Sequence, residues 1–347
     1  MSHSIQTGLV GYGKSARIFH APLIEAAEGI SFRSAVQRHS DSVLDQYPEV
    51  RVYRDLKSLL KEDLTELVII TTPNYLHYQQ AFEALSAGKH VVVEKPFTPE
   101  YKQAEKLIAL AERQKGTLTV YHNRRWDGDF LTLKKILKDK SVGQPVEFES
   151  TFNRFRNVLR KDAWKEKDLP GSGILYDLGS HLIDQVLQLF GTPHSLYADI
   201  RTQRGGVADD FFEIDLHYDN FKAKLKAGML VADETPRFIL RGTKGSYVKY
   251  GMDPQEDALA SGGDPLQAGW GEEEKTQWGT LRSMQEEEIK TEKIKTLPGS
   301  YLSFYNNLAD AILNNKPHAV KAEEAAQVIK LIELAKESSR QKKVLAT

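Results

Sequence analysis

The chain has no cysteine among its 347 residues. That excludes disulfides and thiolate chemistry and fits a reducing compartment. Charge of one sign is also missing: 47 Lys and Arg stand against 48 Asp and Glu, a formal net charge of −1. No global field therefore points towards nucleic acid or an anionic membrane, and no basic stripe stands out. No window reaches the ~18 consecutive apolar residues of a membrane helix. The opening MSHSIQ lacks a basic segment followed by a long apolar one, so no signal peptide is expected. Neither H-E-x-x-H nor a His-rich tract occurs, and no metal site is expected. These absences leave a cytoplasmic protein. Its 40% hydrophobic residues can fill two cores, at roughly 150 residues per domain.

The stretch that organises the rest is IQTGLVGYGKSA. A short apolar run ends at Val10, then Gly11, Gly13 and Ala16 follow at the spacing G-x-G-x-x-A. Gly11 permits the tight turn out of a strand, Gly13 lets a pyrophosphate approach the backbone, and Ala16 lets the next helix pack close. The helix start, with Tyr12, Lys14 and Ser15 around it, offers backbone N–H groups and a positive dipole end to phosphates. A plain tight turn is the bland alternative. Its place after a strand and before a helix favours a dinucleotide.

Residues 17–28 read as that helix, with Pro22 at a kink or near an end. Ile30–Val36 reads as the second strand. At its end an acid would accept from the ribose 2′-hydroxyl of NAD. Here Arg38 and Ser40 stand instead, with no acid before Asp41, which favours NADP over NAD. Residues 67–71 and 90–93 are unalternating apolar runs, as in a parallel sheet covered on both faces. A crossover helix at 75–87 ends at Gly88. Thr98 caps the next helix with Pro99 at its first position, and Gly116 closes it. Residues 118–121 form another strand. Strand and helix alternate over some 120 residues in a doubly wound α/β fold. Two loops fall at the strand ends where such a sheet binds its ligand: Thr71, Thr72, Pro73 and Asn74 with His77, and Glu94, Lys95 and Pro96.

With VGYGKSA, TTPNYLH, EKP, YHNRRWDGDF and GSGILYDLGSHLID in this order, the sequence resembles the Gfo/Idh/MocA family of NAD(P)-dependent oxidoreductases. Within it, YHNRRWDGDFLTLKK, LYDLGSHLIDQ and LRGTKGSYVKYGMDPQEDAL resemble the bacterial NADP-dependent scyllo-inositol dehydrogenases. The resemblance implies an N-terminal Rossmann domain at residues 1–122. A C-terminal α/β domain at 123–347 follows, with a large, open, mostly antiparallel sheet and C-terminal helices that pack back on the first domain. That sheet often forms a subunit interface, so a homodimer or homotetramer is expected. The implied reaction is reversible hydride transfer between nicotinamide and a secondary alcohol of a cyclic polyol or sugar. It also implies that Asn123, Arg124 and Trp126 lie beside nicotinamide or substrate. Lys95, Asp177 and His181 match the family's catalytic positions. His181 then accepts the hydroxyl proton, Lys95 stabilises charge on the reacting oxygen, and Asp177 fixes a neighbouring hydroxyl. The Lys95 and His181 roles are exchangeable at this stage.

From the residues alone, 174–190 reads as a helix with Asp177, His181 and Asp184 on one face. A surface ion pair, a metal site and acid–base catalysis compete there. Residues 212–218 and 222–229 alternate around a turn at Asp219 and Asn220, which predicts Asp215 opposite Lys224 and Glu213 opposite Lys226. Residues 253–296 lack periodicity and read as a long loop, either a lid or plain surface. Residues 300–313 and 322–339 read as amphipathic helices. An aldose or keto-sugar dehydrogenase is the second enzyme reading. A non-catalytic NADP-binding regulator is the other class, against which Lys95, Asp177 and His181 together argue.

Overall fold

The structure, a computed structural model, describes residues 3–61, 64–160 and 162–347. Its strands in chain order are β1 (Ile5–Val10), β2 (Ile30–Val36), β3 (Arg51–Tyr53), β4 (Leu67–Ile70), β5 (His90–Val93), β6 (Leu118–Val120), β7 (Pro145–Thr151), β8 (Ser195–Arg201), β9 (Phe211–His217), β10 (Lys222–Gly228), β11 (Phe238–Gly242), β12 (Gly245–Lys249), β13 (Gly279–Gln285), β14 (Glu288–Ile294) and β15 (Leu345–Ala346). The α-helices are α1 (Ala21–Ala26), α2 (Leu56–Leu60), α3 (His77–Ser86), α4 (Tyr101–Gln114), α5 (Gly128–Lys138), α6 (Ser180–Phe190), α7 (Gln255–Ala260), α8 (Leu302–Asn314) and α9 (Ala322–Gln341).

The chain divides into two compact units. One comprises Met1–Asn123, Gln255–Trp270 and Ser300–Gln327; the other comprises Arg124–Pro254, Gly271–Gly299 and Val328–Thr347. In the first, a parallel sheet runs β3-β2-β1-β4-β5-β6. This order places the point where the strand sequence reverses between β1 and β4, the usual dinucleotide crevice of a Rossmann sheet. Leu67, Val68, Ile69 and Ile70 are fully buried, as are Val91, Val92 and Val93, because helices cover both faces. One expectation at a helix start fails. The helix after Thr98 starts at Tyr101, and the Thr98 hydroxyl donates to the carbonyl of Glu100 instead of capping it. At its end Lys115 takes the left-handed turn, with φ +51°, and the Gly116 N–H closes on the carbonyl of Ala111 at 3.0 Å.

Two helices carry a π-turn near their starts, at Ala16–His20 and Leu175–Gly179. In the first, the N–H of Ala21 donates to the carbonyl of Ala16, five residues back. Pro22 follows directly on this π-turn inside the helix, where the wider i to i+5 winding accommodates a residue that has no N–H to give.

The second unit holds a sheet in the order β14-β13-β12-β11-β7-β10-β9-β8-β15. Its pairs are antiparallel except β7 with β10. The charge register is as expected: Lys224 faces Asp215 and Lys226 faces Glu213. Phe212, Ile214, Leu216, Ala223, Leu225 and Ala227 are fully buried on the other face. The expected long loop at 253–296 is replaced only in part by regular structure, since 261–278 holds no α-helix or strand. It contains α7 and the β13–β14 hairpin, whose turn uses Glu286 and Glu287 at positive φ. The acidic cluster there is not all surface: Glu273 is buried against Lys249 at 3.1 Å. Among the described residues, no helix is long and apolar enough to cross a membrane.

Candidate active site

In the first unit the glycine turn divides its labour. Gly11 sits at φ +90°, and a Cβ there would lie 3.2 Å from Thr72 Cγ2. Its carbonyl accepts the Thr71 hydroxyl at 2.7 Å. Fold and packing both require glycine at this point. Gly13 differs: it is exposed, has no positive φ, and a Cβ would meet nothing within 4 Å. The chain's own packing gives no reason for a glycine there, whereas a pyrophosphate lying against the backbone does. The turn thus fits a dinucleotide. Lys14 is exposed beside it, Ser15 half-buried and Ala16 fully buried. Burial raises the pKa of the Tyr12 hydroxyl, so Tyr12 stays a neutral aromatic wall.

At the end of β2, Arg38 and Ser40 are exposed. Their loop is held by Arg54, which donates to the carbonyls of Gln37 at 3.2 Å and Ser40 at 3.0 Å and pairs with Asp41 at 2.8 Å. The Asp41 carboxyl is held below its usual range by the Arg54 hydrogen bond. The nearest acid is therefore engaged, and Ser40 Oγ accepts the Ser42 N–H, a bond that does not use its own proton. Arg54 lies beyond the motif, and only tertiary folding reveals it.

The two strand-end loops meet through His77. This fully buried ring lies 2.9 Å from the carbonyl of Thr72 and 2.9 Å from that of Pro96, and burial pushes its pKa down. Asn74 and Glu94 are buried beside these loops, Pro73 and Lys95 half-buried. Burial would raise the Glu94 pKa, but the hydrogen bond and charge of His20, with Lys95 and Ser15, bring it down to about 2. Its carboxylate takes the Ser15 hydroxyl and His20 Nε2, the latter at 3.0 Å, on one oxygen. The Lys95 N–H donates to the other oxygen at 2.8 Å. His20 is an additional residue of the site. Its trace in the sequence is a lone polar residue in the apolar stretch IFHAPLI.

In the second unit, Asp177 Oδ1 pairs with Lys165 Nζ at 2.6 Å, and His181 is 5% exposed. The third member of the expected face, Asp184, is instead held by Arg125, from Nε at 2.9 Å and Nη2 at 2.6 Å. The π-turn at Leu175–Gly179 shifts the helical phase between Asp177 and the residues of α6. Arg124 is buried, pairs with Asp127 at 3.2 Å and stacks over Phe152 at 5.1 Å. Its carbonyl accepts from Gln185, which in turn accepts from Arg237 at 2.8 Å. Trp126 is half-buried, and Asn123, the last residue of the first unit's opening segment, is buried. The Lys165 partnership had no signal in spacing, because an irregular segment brings that residue to the helix. Among the described residues no group of three or more His, Cys, Asp or Glu could hold a metal ion.

A Rossmann sheet with this turn, joined to an open-sheet α/β unit, defines a dinucleotide-binding oxidoreductase class. Residues 5–122 match "Oxidoreductase family, NAD-binding Rossmann fold" and residues 134–347 match "Oxidoreductase family, C-terminal alpha/beta domain". The chain belongs to the Gfo/Idh/MocA oxidoreductase family. It is 42% identical to the uncharacterized oxidoreductase YdgJ of Escherichia coli K12, covering 99% of both chains. It is 38% identical to the scyllo-inositol 2-dehydrogenase (NADP(+)) IolW of Bacillus subtilis 168, covering 99% of this chain and 96% of that one. Among solved structures, an oxidoreductase from Bacillus cereus superposes with a TM-score of 0.90 at 34% identity, with 99% of both chains covered.

Proposed function

We propose that the protein is an NADP(H)-dependent cytoplasmic dehydrogenase that interconverts a secondary alcohol and a ketone on a cyclic polyol of the scyllo-inositol kind, working as a homodimer or homotetramer. The observation that carries the reading is the Glu94 carboxylate, which joins Ser15 of the nucleotide turn to the backbone of Lys95. The name of IolW, matched along nearly the whole chain, supports the substrate class. Arg38 and Ser40, beside an Asp41 already held by Arg54, favour a 2′-phosphate over a free 2′-hydroxyl.

The bound nicotinamide supplies the hydride acceptor in oxidation and the donor in reduction. The residues of the chain manage the proton and the charge. His181 accepts the hydroxyl proton during oxidation, Lys95 hydrogen-bonds the reacting oxygen, and Asp177, steadied by Lys165, holds a neighbouring hydroxyl. A sugar or polyol presents many hydroxyls, which a set of Lys, Asp and His can order.

The test follows the absorbance of reduced nicotinamide with a panel of inositols, aldoses and keto-sugars, with NAD and NADP competing at equal concentration. Turnover of an inositol with NADP is expected, and His181→Asn is expected to lower kcat by roughly 10²-fold or more. Turnover of an aldose alone would move the substrate to the sugar class. NADP binding without turnover on any member would favour a regulator, and a clear NAD preference would overturn the Arg38 argument.

A further inference from the structure

A fully buried histidine that no motif assigns lies in the helix behind the glycine turn. His20 Nδ1 is 2.6 Å from the Tyr305 hydroxyl, and Nε2 is 3.0 Å from Glu94 Oε1. The Tyr121 ring packs 4.4 Å from the imidazole. Glu94 is ionised, with a pKa near 2, so Nε2 must carry the proton that joins them. The Tyr305 phenol is raised well above its ordinary pKa by burial; it keeps its proton and can donate it to Nδ1. The Ser15 hydroxyl reaches the same Glu94 oxygen. It bonds the carboxylate and not the imidazole, so this is no nucleophile arrangement of the Ser-His-acid kind.

The π-turn makes this convergence feasible. Ser15 and His20 are five residues apart, which on an α-helix would set them about 140° apart around the axis. The turn at Ala16–His20 bonds i to i+5, and its wider winding brings position 20 round towards position 15. Both side chains then meet one carboxylate.

We propose that His20 is a positioning residue. Acting through Glu94, it locks the nucleotide turn at Ser15 to the backbone of Lys95, so that cofactor and Lys95 are held in one register. Its turnover readout rests on the dehydrogenase reading above; its exchange readout does not. Two substitutions separate the contacts. In His20→Gln the amide nitrogen falls near the place of Nε2 and can still donate to Glu94. In His20→Asn the amide falls near Nδ1 and can still meet Tyr305, but leaves Glu94 without this donor.

Hydrogen exchange at the Lys95 amide and steady-state turnover are compared in wild type and both variants. His20→Asn is expected to expose the Lys95 amide to faster exchange and to lower kcat by on the order of 10²-fold, the scale of a small misplacement. His20→Gln is expected to remain close to wild type in both. Equal impairment of the two variants would overturn the proposal, because His20 would then act by filling space; impairment of His20→Gln with His20→Asn spared would overturn it too, because His20 would then act through Tyr305. So would an unchanged Lys95 amide in His20→Asn. If no polyol or sugar is turned over even by wild type, the dehydrogenase reading falls while the amide exchange still decides the role of His20.

Discussion

At the residue scale, Gly11 and Gly13 show that one motif can hold two kinds of requirement. Gly11 is demanded by its φ and by Thr72 at its back; Gly13 faces open space. A methyl group at Gly13 would thus disturb no neighbour in the chain but would stand where the proposed cofactor's phosphate would lie. Gly13→Ala is expected to leave the unfolding free energy from urea denaturation within about 0.5 kcal/mol of wild type, as surface changes do. NADP affinity, followed by fluorescence titration of the reduced cofactor, should meanwhile weaken by roughly tenfold, about 1.4 kcal/mol. Equal loss of stability and affinity would assign Gly13 to the fold alone. The motif spacing alone could not separate these two glycines, because the difference lies in what each one faces.

At the scale of elements, periodicity located strands and helices but not their irregularities. β2 falls at the expected residues and the β9–β10 register is as read, since alternation around a short turn leaves one pairing that buries the apolar face. The two π-turns, the start of α4 at Tyr101 and the hairpin within 253–296 were not legible. A distant segment can bear on such an irregularity. The helix that carries Asp177 and His181 illustrates this at its start. Gly173 has φ +87°, and a Cβ there would lie 2.0 Å from Asp209 Oδ1. The Asp209 side chain also accepts the Leu175 N–H at 2.7 Å. Burial raises the Asp209 pKa to about 6, and its carboxyl cannot step aside without giving up the Leu175 N–H. Gly173→Ala combines a left-handed backbone with a collision, and is expected to cost about 2–4 kcal/mol by urea denaturation. A loss below 1 kcal/mol, on the order of a plain surface change, would refute this account.

At the scale of the whole molecule, the charged face of the second sheet bears on assembly. Glu213, Asp215, Lys224 and Lys226 share it and interlock, with Lys224 bonded to Glu213 and lying 3.5 Å from Asp215. Such a balanced face can meet a copy of itself without leaving a single sign of charge unmatched. Light scattering is expected to give twice or four times the 39.2 kDa chain mass. Lys224→Glu with Lys226→Glu should shift the population towards the monomer, since four acids would then face a like surface. A wild-type protein of monomer mass at micromolar concentration would overturn the proposed assembly.

By itself the sequence determined the family, the parallel sheet, the glycine turn and the apolar face of the β9–β10 pair. These depend on local spacing and on the period of burial, which neighbours along the chain carry. Only the tertiary structure decided that Arg54 holds the loop of Arg38, that Lys165 holds Asp177, that Asp184 answers Arg125, and that His20 and Ser15 share Glu94. Those partners are separated by up to 79 positions. A charge chooses its partner by proximity in the folded chain, most strongly where burial weakens screening, as at Arg125–Asp184 and His20–Glu94, and no spacing along the chain records that choice.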